Sequence, residues 1–203
     1  MRIVLGEVRL ACGFLLAAGV IALAACHHIS FTDMKPLDDA GMSYDAIEQL
    51  RALDITSTEA VEIAKAKQAG LSDSNCVEIA RIYHGRGQHF DAGGAVAGLL
   101  RAGMSEGPVV EIARLDQLGF GAGELQAMRL AGLSDAIVLE VARHRAAGKP
   151  VLSGASLAKM KNTGMSEATL LELARLGVPD SDAAAIISSR HHGAGEAEIL
   201  RHY

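Results

Sequence analysis

One phrase recurs along this chain and constrains its fold more than anything else in it. Ala40-Gly41-Met42-Ser43 returns as Ala69-Gly70-Leu71-Ser72, Ala102-Gly103-Met104-Ser105, Ala131-Gly132-Leu133-Ser134 and Thr163-Gly164-Met165-Ser166. Four of these lead into a second phrase: VEIAR at 77–81, VEIAR at 110–114, LEVAR at 139–143 and LELAR at 171–175. Successive glycines of the first phrase lie 29, 33, 29 and 32 residues apart. Weaker copies fall between them, at Ile55-Thr56, Phe90-Asp91, Phe120-Gly121, Leu152-Ser153, Val178-Pro179 and Ala194-Gly195, giving eleven phases between residues 42 and 194. That is one phase every ~15 residues, the length of a short helix with its turn, and such self-similarity marks a repeat architecture.

Each phase reads as a boundary between two helices. Glycine closes the first helix, because it enters the left-handed cap conformation without a side-chain clash. The aliphatic residue after it can staple onto the next turn. Serine then stands where a side-chain oxygen can cap the new helix. Asp73, Glu106, Asp135 and Glu167 follow at the first helical position, where negative charge suits the helix dipole. Thr56 with Glu59 has the spacing of a capping box. Pro108 falls in a first turn, where its missing N–H is no loss. Inside, Val77, Ile79 and Ala80 and their counterparts make an apolar stripe of helical period. Helices of ~10–11 residues, about 16 Å long, are marginal alone and form by stacking on neighbours. The expected fold is all-α: about eleven short helices in tandem helix–turn repeats over residues 40–203, as a short α-solenoid or a compact helical bundle.

The amino terminus follows a different rule. Arg2 and Arg9 flank a basic start, with Glu7 the one acid, and Leu10 to Ala25 then runs without a polar or charged side chain. That run is short of the roughly 20 apolar residues a spanning helix needs. It has the make-up of a signal peptide with small residues at the cut. It ends Leu23-Ala24-Ala25-Cys26, which resembles the lipobox of bacterial lipoproteins at all four positions. The resemblance implies cleavage between Ala25 and Cys26, removal of residues 1–25, and lipidation of Cys26 as the new amino terminus. Several acyl chains on one cysteine hold a protein to a membrane where a single chain would not. In Gram-negative members an aspartate directly after the cysteine favours the inner membrane, so His27 here implies the outer one. Residues 26–39 (beginning CHHISFTDMKPLDD) read as the lipidated cysteine and a polar tether, whose coil dimension would be about 20 Å.

Composition then excludes function classes. Of 203 residues 50% are hydrophobic and the net charge is only −5, so disorder is ruled out. Processing at Cys26 would remove two arginines and one glutamate and move the net charge to −6. An acidic chain with 3% aromatic residues lacks the basic face and stacking rings of a nucleic-acid binder. With no Trp it cannot stack sugars on indole, and its three cysteines make no disulfide framework. Cys12 leaves with the signal and Cys26 would carry lipid, so Cys76 remains as the one thiol, at a position where other copies place Val109 or Ile137. It reads as a small core residue rather than a nucleophile.

Other candidate chemistry reads as structure. Glu48/Arg51, Glu62/Lys65, Glu78/Arg81, Glu111/Arg114, Glu140/Arg143, Glu172/Arg175 and Glu198/Arg201 are spaced as i,i+3 ion pairs on a solvated surface. The histidine clusters His27-His28, His84 with His89, and His191-His192 show no zinc spacing. Leu118-Gly119-Phe120-Gly121, with Glu124, Leu125 and Met128, is similar over about ten residues to a helix-hairpin-helix DNA motif, but few basic residues surround it. No catalytic residue, metal site or cofactor is expected. The expected protein is a lipid-anchored component of the cell envelope that offers a helical-repeat surface to a protein partner and binds no nucleic acid. The alternative is an envelope enzyme whose site lies where the repeat departs from its pattern: Tyr83-His84-Gly85-Arg86-Gly87, Gly119–Gly123 or Gly148-Lys149-Pro150.

Overall fold

A computed structural model describes residues 34–119 and 121–203. The expected signal segment, Ala25, Cys26, His27-His28 and Phe120 lie outside the described residues. The described chain is all-α, with twelve helices: α1 (Lys35–Asp39), α2 (Tyr44–Ala52), α3 (Ser57–Gln68), α4 (Asp73–Gly85), α5 (Gly93–Arg101), α6 (Glu106–Arg114), α7 (Ala122–Leu130), α8 (Asp135–Ala146), α9 (Gly154–Asn162), α10 (Glu167–Arg175), α11 (Ala183–His191) and α12 (Glu196–Leu200). A 3₁₀ turn, Asp180–Asp182, precedes α11. Each of the eleven phases begins one helix, α2 to α12.

The helices form six hairpins, α1/α2 through α11/α12. Odd-numbered helices stack on one another in one layer and even-numbered helices in a second, and every extensive helix contact joins neighbours or next-but-one neighbours. The array is therefore an open solenoid and not a closed bundle. The strong phrase is the turn inside each of the first five hairpins, where Gly41, Gly70, Gly103, Gly132 and Gly164 have φ between 73° and 107°. Five of the weaker copies join one hairpin to the next, and the sixth, Ala194-Gly195, is the turn inside the last hairpin. Between the layers runs a core of Leu, Ile, Val, Ala and Met, with Tyr83 and Phe90 as its aromatic members.

The folded part begins before residue 40. Lys35–Asp39 was expected as tether, yet Met34 and Leu37 are 2% and 0% exposed and α1 stacks on α3. Two apolar residues three apart share a helix face, and Pro36 sits in the first turn, where proline starts a helix as readily as it breaks one. Lys35–Asp39 is thus part of the packed array.

The serines also differ from expectation. Ser43, Ser72, Ser105, Ser134 and Ser166 all occupy N-cap positions, but among the five only Ser166 caps with its side chain, accepting from the Thr169 N–H. What recurs instead is a bond between repeats. The backbone N–H of Ser43 donates to Asp73 (2.9 Å), Ser72 to Glu106 (2.9 Å), Ser105 to Asp135 (3.0 Å), Ser134 to Glu167 (3.3 Å) and Ser166 to Glu196 (2.9 Å). Each first-turn acid satisfies an open donor at the start of the preceding repeat's helix, as well as facing its own dipole. Four of the five acids also meet a base six residues earlier: Lys67–Asp73 (2.7 Å), Arg129–Asp135 (3.0 Å), Lys161–Glu167 (2.9 Å) and Arg190–Glu196 (3.8 Å). Arg129, Lys161 and Arg190 in turn donate to the carbonyls of Gly103, Gly132 and Gly164 in the preceding turn. Glu106 lacks the base and accepts from Ser72 Oγ and Asn75 instead. The first even helix carries exposed Tyr44 at this position, with no earlier repeat to reach among the described residues.

These rungs make a prediction. Asp135→Ala should lower the unfolding free energy by about 1–2 kcal/mol, since it strands Ser105 N–H and frees Arg129. Asp45→Ala, in the first turn of α2 and without a rung, should cost about 0.5 kcal/mol or less. Denaturant unfolding of both variants measures the difference; equal losses would reduce the acids to dipole partners.

Candidate functional site

The site is built where α4 outruns its counterparts. Most helices of the array have nine residues, but α4 has thirteen and carries Tyr83 and His84 in its last turn. Gly87, at φ 68°, then turns the chain. Residues 88–92 run back to α5 along the amino-terminal end of α3.

Glu59 fastens this segment. Its capping box with Thr56 is formed as the spacing predicts: Thr56 N–H donates to Oε2 at 2.8 Å, Thr56 Oγ1 lies 2.9 Å away, and Thr56 Oγ1 accepts from Glu59 N–H. The same carboxylate also accepts from Phe90 N–H at 3.0 Å and meets His84 Nε2 at 2.9 Å and His89 Nδ1 at 3.3 Å. Burial alone would raise its pKa, because Glu59 is 2% exposed. The donors from Thr56, Phe90 and His84 outweigh burial and hold it at about 2. A carboxylate so engaged is neither a proton donor at neutral pH nor a free base. It is a clasp, and it places the next residues.

Those residues border a cleft of about 440 Å³ lined by Tyr83, Gln88, His89, Asp91, Asp116 and Gly119. Its two rims are the first two irregularities of the repeat, the Tyr83–Gly87 segment and the glycine-rich turn before α7. Tyr83 packs edge-on against Phe90, with centroids 5.2 Å apart. Arg86 bridges the rims, donating to the carbonyls of Ala113 and Arg114 and lying 3.5 Å from Asp116. The third irregularity closes on itself, with His144 Nδ1 3.2 Å from the Pro150 carbonyl and Gly177 packed against the same ring.

Other sequence candidates find structural places. Cys76 is 1% exposed and burial pushes its thiol up to about 12, so it is not a thiolate at neutral pH. Glu48/Arg51, Glu62/Lys65, Glu111/Arg114, Glu140/Arg143 and Glu172/Arg175 pair within their helices. Glu78 and Arg81 instead reach neighbouring repeats, Glu78 pairing with Arg114 at 3.0 Å and Arg81 donating to Gln49 at 2.7 Å. Arg201 donates to the Ala197 carbonyl. His84 and His89 do come together, but on a carboxylate already filled by backbone donors. Among the described residues no group of three His, Cys, Asp or Glu is arranged to hold a metal ion. His192 Nδ1 is 2.8 Å from the Ser188 carbonyl at the end of α11. In the helix-hairpin-helix-like segment Leu118 is buried and Gly121 is the N-cap of α7. Among the described residues no helix is long and apolar enough to cross a membrane.

Sequence reasoning missed the clasp and the basic half of the rungs. The clasp depends on which residues come to lie opposite Glu59, 25 to 31 positions away. The rungs did leave a signal, a base six residues before four of the five acids, visible once the copies are aligned on the acid. No protein-family model matches the chain, and no curated protein matches it either.

Proposed function

We propose that this protein is a lipid-anchored scaffold of the bacterial cell envelope, held in the membrane through Cys26 and binding a protein partner along its helical array. The observation that carries the binding half of this reading is the open solenoid. Its helices stack only on near neighbours, so both layers keep long lateral faces free for a partner. The carboxylate with the most strongly perturbed surroundings, Glu59, is occupied in holding the fold, which favours binding over catalysis. The lipobox-like Leu23-Ala24-Ala25-Cys26 supports the anchor, and His27 after it supports the outer membrane. The first described helix, α1, begins at Lys35, nine residues beyond Cys26, which would keep the array near the membrane surface.

Cys26→Ala tests the anchor. The variant should lose labelling by a palmitate analogue and move from the membrane fraction to the soluble one. Retention in membranes after a high-salt wash would refute lipid anchoring. Crosslinking in cells, followed by identification of what is captured, tests the partner.

A further inference from the structure

The cleft beside Tyr83 has oxygen acceptors that the fold does not use. Tyr83 is 6% exposed, yet its hydroxyl, on the cleft wall, has no hydrogen-bond partner among the described residues. Asp91 and Asp116 line the same space; burial pushes that hydroxyl up to about 12, and the two carboxylate charges add to burial against a smaller opposing pull from Arg86. It therefore stays a neutral O–H at physiological pH. Two cations border the cleft, Arg86 at Asp116 and His89 beside Glu59, and both are largely committed to other partners. Arg86 is spent on the carbonyls of Ala113 and Arg114 and makes only a 3.5 Å approach to Asp116, while His89 leans on Glu59. Asp91 has no partner of its own among the described residues.

We propose that this cleft binds a primary ammonium group on an aliphatic stem, supplied by a lysine side chain of a partner or by a free alkylamine. An ammonium carries three N–H donors and no acceptor, which suits one hydroxyl oxygen and two carboxylates. A divalent cation is served less well, since calcium and magnesium take about six or more oxygens. The Tyr83 ring and the Gly119 backbone leave a wall against which a methylene stem can lie while its head meets the charges. The choice of a partner's lysine as source rests on the scaffold reading above; the ligand class does not.

The test uses the full chain in detergent, isotope-labelled, titrated with three probes: an end-blocked Gly-Lys-Gly peptide, the same peptide with norleucine for lysine, and n-butylamine. The lysine peptide should shift the amide signals of residues 83–91 and 116–119, and the norleucine peptide should not. Tyr83→Phe keeps the ring against Phe90, and Asp91→Asn alters an exposed side chain. Each should weaken binding about tenfold with an unchanged unfolding midpoint. Butylamine binding as tightly as the peptide assigns a free amine as source, and a peptide about tenfold tighter assigns a partner's lysine. Either result supports the ammonium site. It is overturned if norleucine binds equally, if both variants bind the lysine peptide as the unaltered chain does, or if millimolar probe moves none of these signals. The Cys26→Ala fractionation stands apart from every one of these outcomes.

Discussion

Gly93→Ala should destabilise the protein by about 3 kcal/mol or more, lowering its melting temperature by roughly 6–12 °C. Gly93 is the first residue of α5, where the second hairpin meets the third. A Cβ there would stand 1.9 Å from the Glu62 carbonyl oxygen, 2.5 Å from its carbon and 2.8 Å from its Cα. These are backbone atoms in the middle of α3, so no rotamer change clears them. Relief requires α5 to move off α3, opening the seam around buried Ile63, Val96 and Leu99. The neighbouring position predicts the opposite sign. A Cβ on Gly94 meets nothing within 4 Å, so Gly94→Ala should be neutral or stabilising by up to ~1 kcal/mol through its helix preference. Gly154→Ala should fall between, because its nearest obstacle is the flexible Met128 side chain at 2.5 Å. Denaturant midpoints for the three variants check the order. Equal effects at 93 and 94 would show that the close approach of α3 and α5 does not control stability.

The second large effect belongs to Glu59. In Glu59→Gln one carboxylate oxygen becomes an NH₂, and either choice sets a donor against a donor. Oε1 faces Phe90 N–H and His84, and Oε2 faces Thr56 N–H and its hydroxyl. A loss of about 3 kcal/mol is expected at neutral pH. The acid dependence follows from the same bonds. The carboxyl is held at about 2 in the folded protein against an ordinary 4.5. Its contribution is therefore complete above pH 4.5 and is lost as pH falls from there towards 2, at most about 3 kcal/mol in all. Asp73 is likewise held at about 2, chiefly by Lys67, and three further rung acids, Glu106, Glu167 and Glu196, are lowered too, so the native chain should weaken steeply in this window. Urea unfolding at pH 7, 4.5 and 3 should give Glu59→Gln a lower stability at neutral pH and a shallower fall. Parallel curves for the two proteins would show that Glu59 is not the principal acid-labile clasp.

What the residues announce and what they conceal divides along a physical line. Every helix from α2 onward could be placed from its own turn, because caps, glycines and first-turn acids act within four or five positions. The same local rules placed Asp73, Glu106, Asp135 and Glu167 on their helices, and paired Thr56 with Glu59. They could not supply the partners some thirty residues away, since these depend on how one hairpin is seated on the last. Ser105 looks identical as a cap or as a donor to Asp135. Gly93-Gly94 reads as two equivalent weak points, and only stacking shows that one faces backbone and the other solvent. Lys35–Asp39 reads as tether because its three charged residues and a proline surround the one buried side chain, Leu37. The choice between open solenoid and closed bundle was undetermined for the same reason: both bury the same stripe on every helix.

The ladder of hydrogen bonds between repeats also bears on how the chain reaches its folded form. The longest side-chain bond in it, from Arg114 to Glu78, spans 36 residues, and most rungs span about thirty. No strand has to wait for a distant partner, so loop-closure costs stay small and folding should be fast for a chain of this length. A polypeptide delivered amino end first can close each hairpin and seat it on the previous one as soon as that hairpin emerges, so that assembly keeps pace with delivery.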